Sequence, residues 1–199
     1  ALGLGYTYES VTTTNGFSTS ENPTIFTSPV TFTESATWIV PPSLTRVCIE
    51  VWSKGGDGGT GYDGYPTKGG NGGGGAYGYQ CFSVTPGTVL NIVLDDTATS
   101  VNDLISASNG EDGVRATLGA NPGVGGTSSA TYNIPGQNAT LIQGGQGGNG
   151  GQGGLRSQGS ASPSAATFPG GGGGGGRDTG NVNTSKGTPG GGGQVIIYF

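Results

Sequence analysis

Apolar and polar residues alternate in several short stretches early in the chain and again at its end. The clearest stretch is 45–52, where Val47, Ile49 and Val51 fall on one face of an extended strand and the residues between them fall on the other. Comparable stretches predict further strands at 30–33, 38–40, 77–84, 89–94 and 194–199. The pattern predicts an all-β fold with a small sandwich-like scaffold and little or no α-helix.

Two connections in this region also allow a prediction. The turn residues Thr85-Pro86-Gly87-Thr88 lie between two predicted strands, so we expect 77–84 and 89–94 to form a hairpin. The polar stretch 97–107 is compatible with one short helix beginning near Ser100.

The composition of the chain changes at Lys54, since only three of the 46 glycines precede that residue. The glycine tracts repeat every three residues, reading KGG-DGG from Lys54, KGG-NGG from Lys68 and QGG-QGG-NGG-QGG from Gln143. A period of three matches an extended helix of the polyproline II type, which makes no internal hydrogen bonds. Two glycines per turn leave two edges free for close contact with other backbones. We therefore expect stacked polyglycine-II-type helices whose third, non-glycine position faces solvent.

The chain divides by composition into an arm, 1–29, and a glycine-rich β/polyglycine module, 30–199. The arm is rich in Thr and Ser and has few large apolar residues, too few for a core of its own. Its position and composition predict an attachment element that is ordered against a partner protein or a sister subunit. The candidate assembly residues are Tyr6, Tyr8, Val11, Phe17, Ile25 and Phe26.

Charge and composition exclude several classes of function. Seven Lys and Arg against twelve Asp and Glu give a net charge of −5, which disfavours nucleic acid as a partner. No apolar stretch reaches the roughly 20 residues needed for membrane insertion. With no histidine and two cysteines, the sequence predicts no metal site and no cofactor. The acidic cluster of Asp95, Asp96 and Asp103 is interpreted as a solvated loop, and we predict that the protein is not an enzyme.

A series of motifs follows one another in an order that is more specific than any single glycine run. They are ATWIVP at 36–41, TRVCIEVWSKGG at 45–56, GGGGAY at 72–77, VTPGTVLNIV at 84–93, GGTSS at 125–129 and GGGGQVIIY at 190–198. Together they resemble the glycine-rich domain of phage tail-fibre and receptor-binding proteins of the tip-adhesin kind. Ser53-Lys54 and the polar insertion 95–110 depart from that pattern. The resemblance implies a β scaffold carrying polyglycine-type helices, with loops between the helices that touch the host receptor.

The leading hypothesis is therefore a virion-surface structural protein, in a tail fibre, a tip or a capsid-attached fibre, that contributes to attachment. Its partners would be other virion proteins or sister subunits, and its receptor would be a host glycan or an outer-membrane protein. The candidate contacts lie in loops and are Tyr62, Asp63, Tyr65, Arg156, Phe168, Arg177, Asp178 and Lys186. An alternative is a secreted extracellular filament joined by donation of strand 6–14. An ice-binding surface is a third alternative.

Cys48 and Cys81 lie on predicted strands that could be neighbours, so both a disulfide and two thiols are compatible with the sequence. A phage protein matures in a reducing cytosol, where disulfides are rare. On that ground we expect two buried thiols.

Overall fold

The computed structural model describes residues 28–61, 68–114, 121–158, 161–176 and 186–199, together with the backbone of four strands before them. These four are β1 (Tyr6–Tyr8), β2 (Val11–Thr14), β3 (Phe17–Ser20) and β4 (Thr24–Phe26). The remaining strands are β5 (Val30–Phe32), β6 (Ala36–Ile39), β7 (Arg46–Trp52), β8 (Tyr77–Ser83), β9 (Val89–Leu94), β10 (Ala98–Val101), β11 (Ile105–Ser108), β12 (Tyr132–Ile134) and β13 (Gln194–Tyr198). Across the described residues the fold is all-β, as predicted, and none of them is helical.

Two antiparallel sheets pack face to face and share one apolar core. The larger has the order β12-β8-β7-β13-β5 and the smaller the order β11-β10-β9-β6. Alternation places every second residue of β7 inside, so Val47, Ile49 and Val51 are fully buried, as predicted from the sequence. Leu90 and Ile92 meet them from the opposite sheet. Burying each such side chain contributes about 1.5–3 kcal/mol, which holds the sheets together.

The predicted hairpin between β8 and β9 is wrong, although its turn is present. The Thr88 N–H donates to the Thr85 carbonyl at 3.1 Å, and Gly87 has a φ of 79°, which glycine adopts without strain. The chain nonetheless crosses here from one sheet to the other, because β8 pairs with β7 while β9 pairs with β6. The crossing lets the apolar residues of β9 face the core from the opposite side to β7, which a hairpin in one sheet would prevent.

The helix expected within 97–107 is also wrong. This stretch forms the antiparallel hairpin of β10 and β11. Thr99, Val101, Ile105 and Ala107 are buried, a two-residue alternation that packs a sheet face on the core. Asn102 takes a φ of 41° in the turn between the strands, a conformation that Asn tolerates better than most residues.

Ten extended segments run alternately away from the sandwich and back towards it, and we call them together the glycine bundle; all of them except 161–167 contain glycine. The outgoing segments are 54–61, 109–114, 135–140, 151–157 and 170–176, and the returning segments are 68–76, 121–127, 143–148, 161–167 and 186–193. Backbone hydrogen bonds join neighbouring segments and recur every third residue. Gly69, Gly72 and Gly75, for example, donate to Gly176, Gly173 and Gly170 at 2.8, 2.9 and 2.7 Å.

Segments 69–76 and 170–176 are buried at every residue and form the centre of the bundle. Segment 69–76 exchanges backbone hydrogen bonds with six others, namely 54–61, 109–114, 121–127, 135–140, 143–148 and 170–176. A Cβ at Gly72, Gly73 or Gly172 would overlap a backbone carbonyl of a neighbouring segment. Glycine is therefore required here by close approach of backbones, and the backbone groups of the buried segments find partners on adjacent segments.

The non-glycine positions of the tracts do not all face solvent, which corrects the prediction. Gln146 and Gln152 are exposed, as expected, but Asn71 is 1% exposed. Its Oδ1 accepts from the Gly175 N–H at 2.7 Å and its Nδ2 donates to the Thr140 carbonyl at 2.6 Å. A segment surrounded on all sides has no solvent edge, so its one polar side chain must pair with backbone groups.

The strands of the arm pair with each other. β1 pairs with β4 and β2 with β3, both antiparallel. The end of the chain meets the last residues of the arm, where the Phe199 N–H donates to the Ser28 hydroxyl at 3.0 Å. The boundary at 29 and the role of the arm in attachment stay predictions. No helix in the described part of the chain has the length and apolar character needed to cross a membrane.

Candidate functional site

The acidic side chains of the insertion serve its local structure. Asp95 Oδ1 accepts from the Thr97 and Ala98 N–H groups at 2.7 and 2.9 Å and from the Thr97 hydroxyl at 2.6 Å. These hydrogen bonds, with the Thr97 hydroxyl first among them, lower the pKa of the Asp95 carboxyl. Asp96 lies 3.6 Å from the ammonium of Lys54. Among the described residues no three potential metal-ligating side chains come together.

Asp57 likewise belongs to the glycine bundle. Its Oδ1 accepts from the Gly190 N–H at 2.9 Å and lies 3.5 Å from the Lys54 ammonium. The carboxylate thus ties an outgoing segment to a returning one, in the way that Asn71 does within the centre.

The end of the bundle opposite the sandwich carries most of the connections between segments, and we call it the loop end. Lys68 and Val114 lie at the loop end. Lys68 adjoins Gly69, whose N–H donates to the Gly176 carbonyl, and the Gly70 N–H donates to the Val114 carbonyl. Two predicted receptor contacts lie at this end. Arg156 precedes Ser157, whose N–H donates to Gly175 at 3.0 Å, and Lys186 is an exposed residue at the start of segment 186–193.

Phe168 lies at the opposite end, next to the sandwich. It immediately precedes Pro169 and segment 170–176, it is 51% exposed, and its ring is the nearest group to a Cβ placed on Gly192. The structure therefore does not bring Phe168 together with Arg156 and Lys186. The other predicted contacts, Tyr62, Asp63, Tyr65, Arg177 and Asp178, lie outside the described residues.

Arg156 is half-buried at the loop end, and its guanidinium is incompletely hydrogen-bonded there. Its Nε is buried without a hydrogen-bond partner in the described part of the chain, and burial lowers the pKa of the group. Its backbone N–H donates to the carbonyl of Ile142 at 3.0 Å, and the Ile142 side chain is 57% exposed. Leu155, next to Arg156, is 52% exposed. The loop end thus presents a cation beside apolar side chains.

The predicted assembly residues are described only by the backbone position of their strands. Tyr6 lies opposite Phe26 in the β1–β4 pair, next to Ile25, which lies opposite Thr7. Tyr8 ends β1, Val11 begins β2 and Phe17 begins β3. The strand pairing brings β1 and β4 together, and these strands carry four of the six residues.

Three glycine-bundle segments enclose a groove that sequence reasoning missed. Its volume is about 270 Å³, and its walls come from 135–140, 143–148 and 151–157. The lining residues are Gln137, Asn138, Thr140, Gln143, Gly144, Gln146, Gln152 and Gly153. Five of these eight carry a carboxamide, and none is ionisable. The QGG repeat placed glutamines at a shared edge, but only packing brings Gln137 and Asn138 opposite them.

The outer face of the larger sheet carries a tyrosine cluster around one carboxylate. Tyr77 and Tyr198 donate to the two oxygens of Glu50 at 2.9 Å each. Burial, followed by the hydrogen bond to Glu50, raises the pKa of both hydroxyls. The ring of Tyr77 also packs on Trp52, with centroids 4.8 Å apart. These contacts hold the side chains in place on the sheet, and both oxygens of the Glu50 carboxylate are already hydrogen-bonded.

Cys48 and Cys81 are joined by a disulfide, so the expectation of two thiols is wrong. The two residues are direct partners in the β7–β8 register, which brings their side chains to the same face.

A scan against protein-family models returns no match to this chain, and a search of curated protein sequences returns no significant relative. The resemblance to the glycine-rich domain of phage tail fibres accordingly rests on the order of its sequence motifs.

Proposed function

We propose that this protein is a non-enzymatic structural module of a virion surface, in a tail fibre, a tip or a capsid-attached fibre, that contributes to host attachment. The observation that carries the proposal is the glycine bundle. A Cβ added at the glycines of its buried centre would overlap neighbouring backbone, and its backbone hydrogen bonds link each segment to two or more others. Such a body resists bending, and its outward connections meet at one end, as a rigid support for contact loops requires.

Within this proposal the segments of the bundle are polyglycine-II helices. The three-residue recurrence of their hydrogen bonds supports that assignment, since a helix with three residues per turn presents the same edge to a neighbour once per turn. Contacts with the host surface lie at the loop end, around Arg156 and Lys186. The segments of the bundle supply rigidity, and the loop residues supply recognition.

The disulfide favours a second candidate, a subunit of a secreted extracellular filament or matrix. Disulfides persist in oxidising surroundings and are rare in proteins that mature in the cytosol. In this candidate the arm joins one subunit to the next.

Labelling the native assembly separates the two candidates. Gold-conjugated antibodies raised against the purified chain are applied to virus particles and to extracellular material from a producing culture, and both are examined by electron microscopy. Label on fibres or at the tip of particles supports the leading proposal. Label along polymers without particles contradicts it and supports the filament, and label confined to cell interiors contradicts both.

Recognition at the loop end is tested separately. Purified chain is incubated with producing-host cells, and the bound fraction is measured against a variant with Tyr62, Tyr65, Arg156 and Arg177 replaced by alanine. We expect the variant to lose binding while its melting temperature stays nearly unchanged. Undiminished binding would show that these residues are not the contacts.

A further inference from the structure

The carboxamide groove between segments 135–140, 143–148 and 151–157 has the features of a ligand site. Its volume of about 270 Å³ lies near the lower end of the ~300–1,000 Å³ usual for small-molecule sites. A groove of this size holds one ring, or a short part of a longer chain. Gly144 and Gly153 are buried lining residues that contribute backbone to its wall.

Several of the amide groups in the groove remain available to a ligand. Asn138 Oδ1 accepts from the Gly125 N–H at 2.9 Å, and Gln143 Nε2 donates to the Gly153 carbonyl at 3.1 Å. Gln137, Gln146 and Gln152 are exposed, and no hydrogen bond within the described part of the chain engages their side chains. The groove therefore combines two anchored carboxamides with three unengaged ones.

The chemistry of the lining selects for a neutral ligand. A carboxamide has two N–H donors and one carbonyl acceptor, and a hydroxyl group both donates and accepts. The match is closest for a molecule with several adjacent hydroxyls. No lining side chain is ionisable, so a charged ligand would lose hydration without gaining a counter-charge, which is unfavourable.

Exposed apolar residues adjoin the lining residues of the groove along the chain and across one bridge. Leu141 and Ile142 are 60% and 57% exposed and directly precede Gln143. Leu155, 52% exposed, pairs with Gln143 through an isolated bridge. A sugar ring presents hydroxyls at its rim and a less polar C–H face, and this mixed surface matches amides beside exposed aliphatic side chains.

We propose that the carboxamide groove binds a neutral oligosaccharide through the hydroxyls of one or two pyranose rings. The proposal rests on the attachment function above and gives its ligand class, a cell-surface glycan without acidic sugars. The groove is lined by residues other than the predicted receptor contacts Arg156 and Lys186, so the proposal adds a second contact on the bundle.

The experiment uses the full chain on a panel of immobilised oligosaccharides. The neutral arm contains oligomers of glucose, galactose, mannose, rhamnose and N-acetylglucosamine, and the acidic arm contains hexuronate and sialylated oligomers. The binding variant is Gln146→Ala combined with Gln152→Ala. The matched control is Gln158→Ala, since Gln158 is an exposed carboxamide directly after segment 151–157 that does not line the groove. Thermal unfolding shows that each variant is folded.

We expect the chain to bind members of the neutral arm and the double variant to lose at least about tenfold in affinity, since two hydrogen-bonding groups are removed. Gln158→Ala should bind like the unmodified chain. Binding should also be unchanged by added salt, because no ionic contact contributes. In 15N-labelled protein, the side-chain NH₂ signals of Gln146 and Gln152 should shift on titration with the bound oligosaccharide.

Three outcomes overturn the proposal: no binding to the neutral arm, binding to the acidic arm alone, or neutral binding that the double variant retains. Failure of the groove is distinguishable from failure of the attachment function. If particles are labelled by the antibody but the groove binds no sugar, attachment belongs to the loop end. If the groove binds sugar but neither particles nor polymers are labelled, the virion and filament assignments fail instead.

Discussion

Two adjacent glycines of segment 186–193 allow a sharp test of how the glycine bundle is held together. The Gly191 N–H donates to Gly171 at 2.6 Å, and a Cβ at Gly191 would overlap the Thr167 carbonyl and lie 3.0 Å from the Gly171 nitrogen. Gly192 faces outward, and a Cβ there would find only the ring of Phe168, at 3.8 Å. Neither glycine lies in the left-handed region. Alanine substitutions at the two positions therefore differ only in the atoms that the added Cβ contacts.

The expected changes in the free energy of unfolding follow from that difference in contacts. Gly191→Ala forces neighbouring backbones apart, an overpacking that costs about 1–3 kcal/mol. It also strains the hydrogen bonds of Gly191 to Gly171 and Gly55, each contributing about 0.5–1.5 kcal/mol. We expect a total loss of roughly 2–5 kcal/mol. Gly192→Ala should be neutral, or stabilising by about 0.4–1 kcal/mol, because alanine restricts the unfolded chain.

The measurement is thermal unfolding followed by circular dichroism, with the disulfide intact in every sample. For a chain of this size roughly 2–4 °C is lost per kcal/mol, so the Gly191→Ala variant should melt roughly 5–20 °C below the Gly192→Ala variant. The same logic predicts that Gly148→Ala, at a buried position, destabilises more than Gln146→Ala, at an exposed one. Equal melting temperatures within each pair would refute the close-packed interpretation and favour flexible linkers.

Three further outcomes are expected. Asn71→Ala should lower the free energy of unfolding by about 2–4 kcal/mol in urea titrations, since two buried backbone partners lose their hydrogen bonds; a loss below about 1 kcal/mol would contradict this. The chain alkylated without reduction should be two hydrogen masses lighter than the reduced chain, and replacing Cys48 and Cys81 with serine should cost about 2–4 kcal/mol; free thiols in the native protein would exclude the disulfide. Stability should fall above about pH 10, because the raised pKa keeps Tyr77 protonated in the folded state while the unfolded chain releases its proton. Tyr77→Phe should reduce that fall whereas Tyr132→Phe, at an exposed ring, should not, and an unchanged pH dependence in the former would refute the assignment.

Regular alternation made part of the fold predictable from sequence. β7, β9 and β13 stand out because large apolar residues occupy every second position and a turn or glycine precedes each strand. β10 and β11 were missed because Ser, Thr and Ala supply most of their residues, which weakens the same signal. Whether β8 and β9 pair with each other or join different sheets depends on where each strand buries its apolar face. Tertiary packing decides this, and the sequence of the turn does not reveal it.

The candidate site was less predictable, because it is made by packing rather than by a motif. The three-residue period indicated which positions would be close-packed, but it could not tell a segment at the rim of the bundle from one at its centre. For that reason Asn71 was expected in solvent, and the groove around Gln146 was not foreseen. Cys48 and Cys81 were expected to be neighbours, yet their oxidation state was argued from a proposed compartment and was wrong.

The two cores of this protein place different demands on its sequence. The sandwich is specified by side chains such as Ile49 and Ile92, which must fill space opposite one another. The bundle is specified mainly by their absence, since a Cβ added at a glycine of its centre meets a backbone carbonyl. Apart from the buried side chains of Asn71 and Ser157, side-chain chemistry in the bundle lies at its rim and its connections. If the proposed attachment function is correct, recognition therefore takes place at the loop end and in the carboxamide groove, and the interior supplies the rigidity that holds them in place.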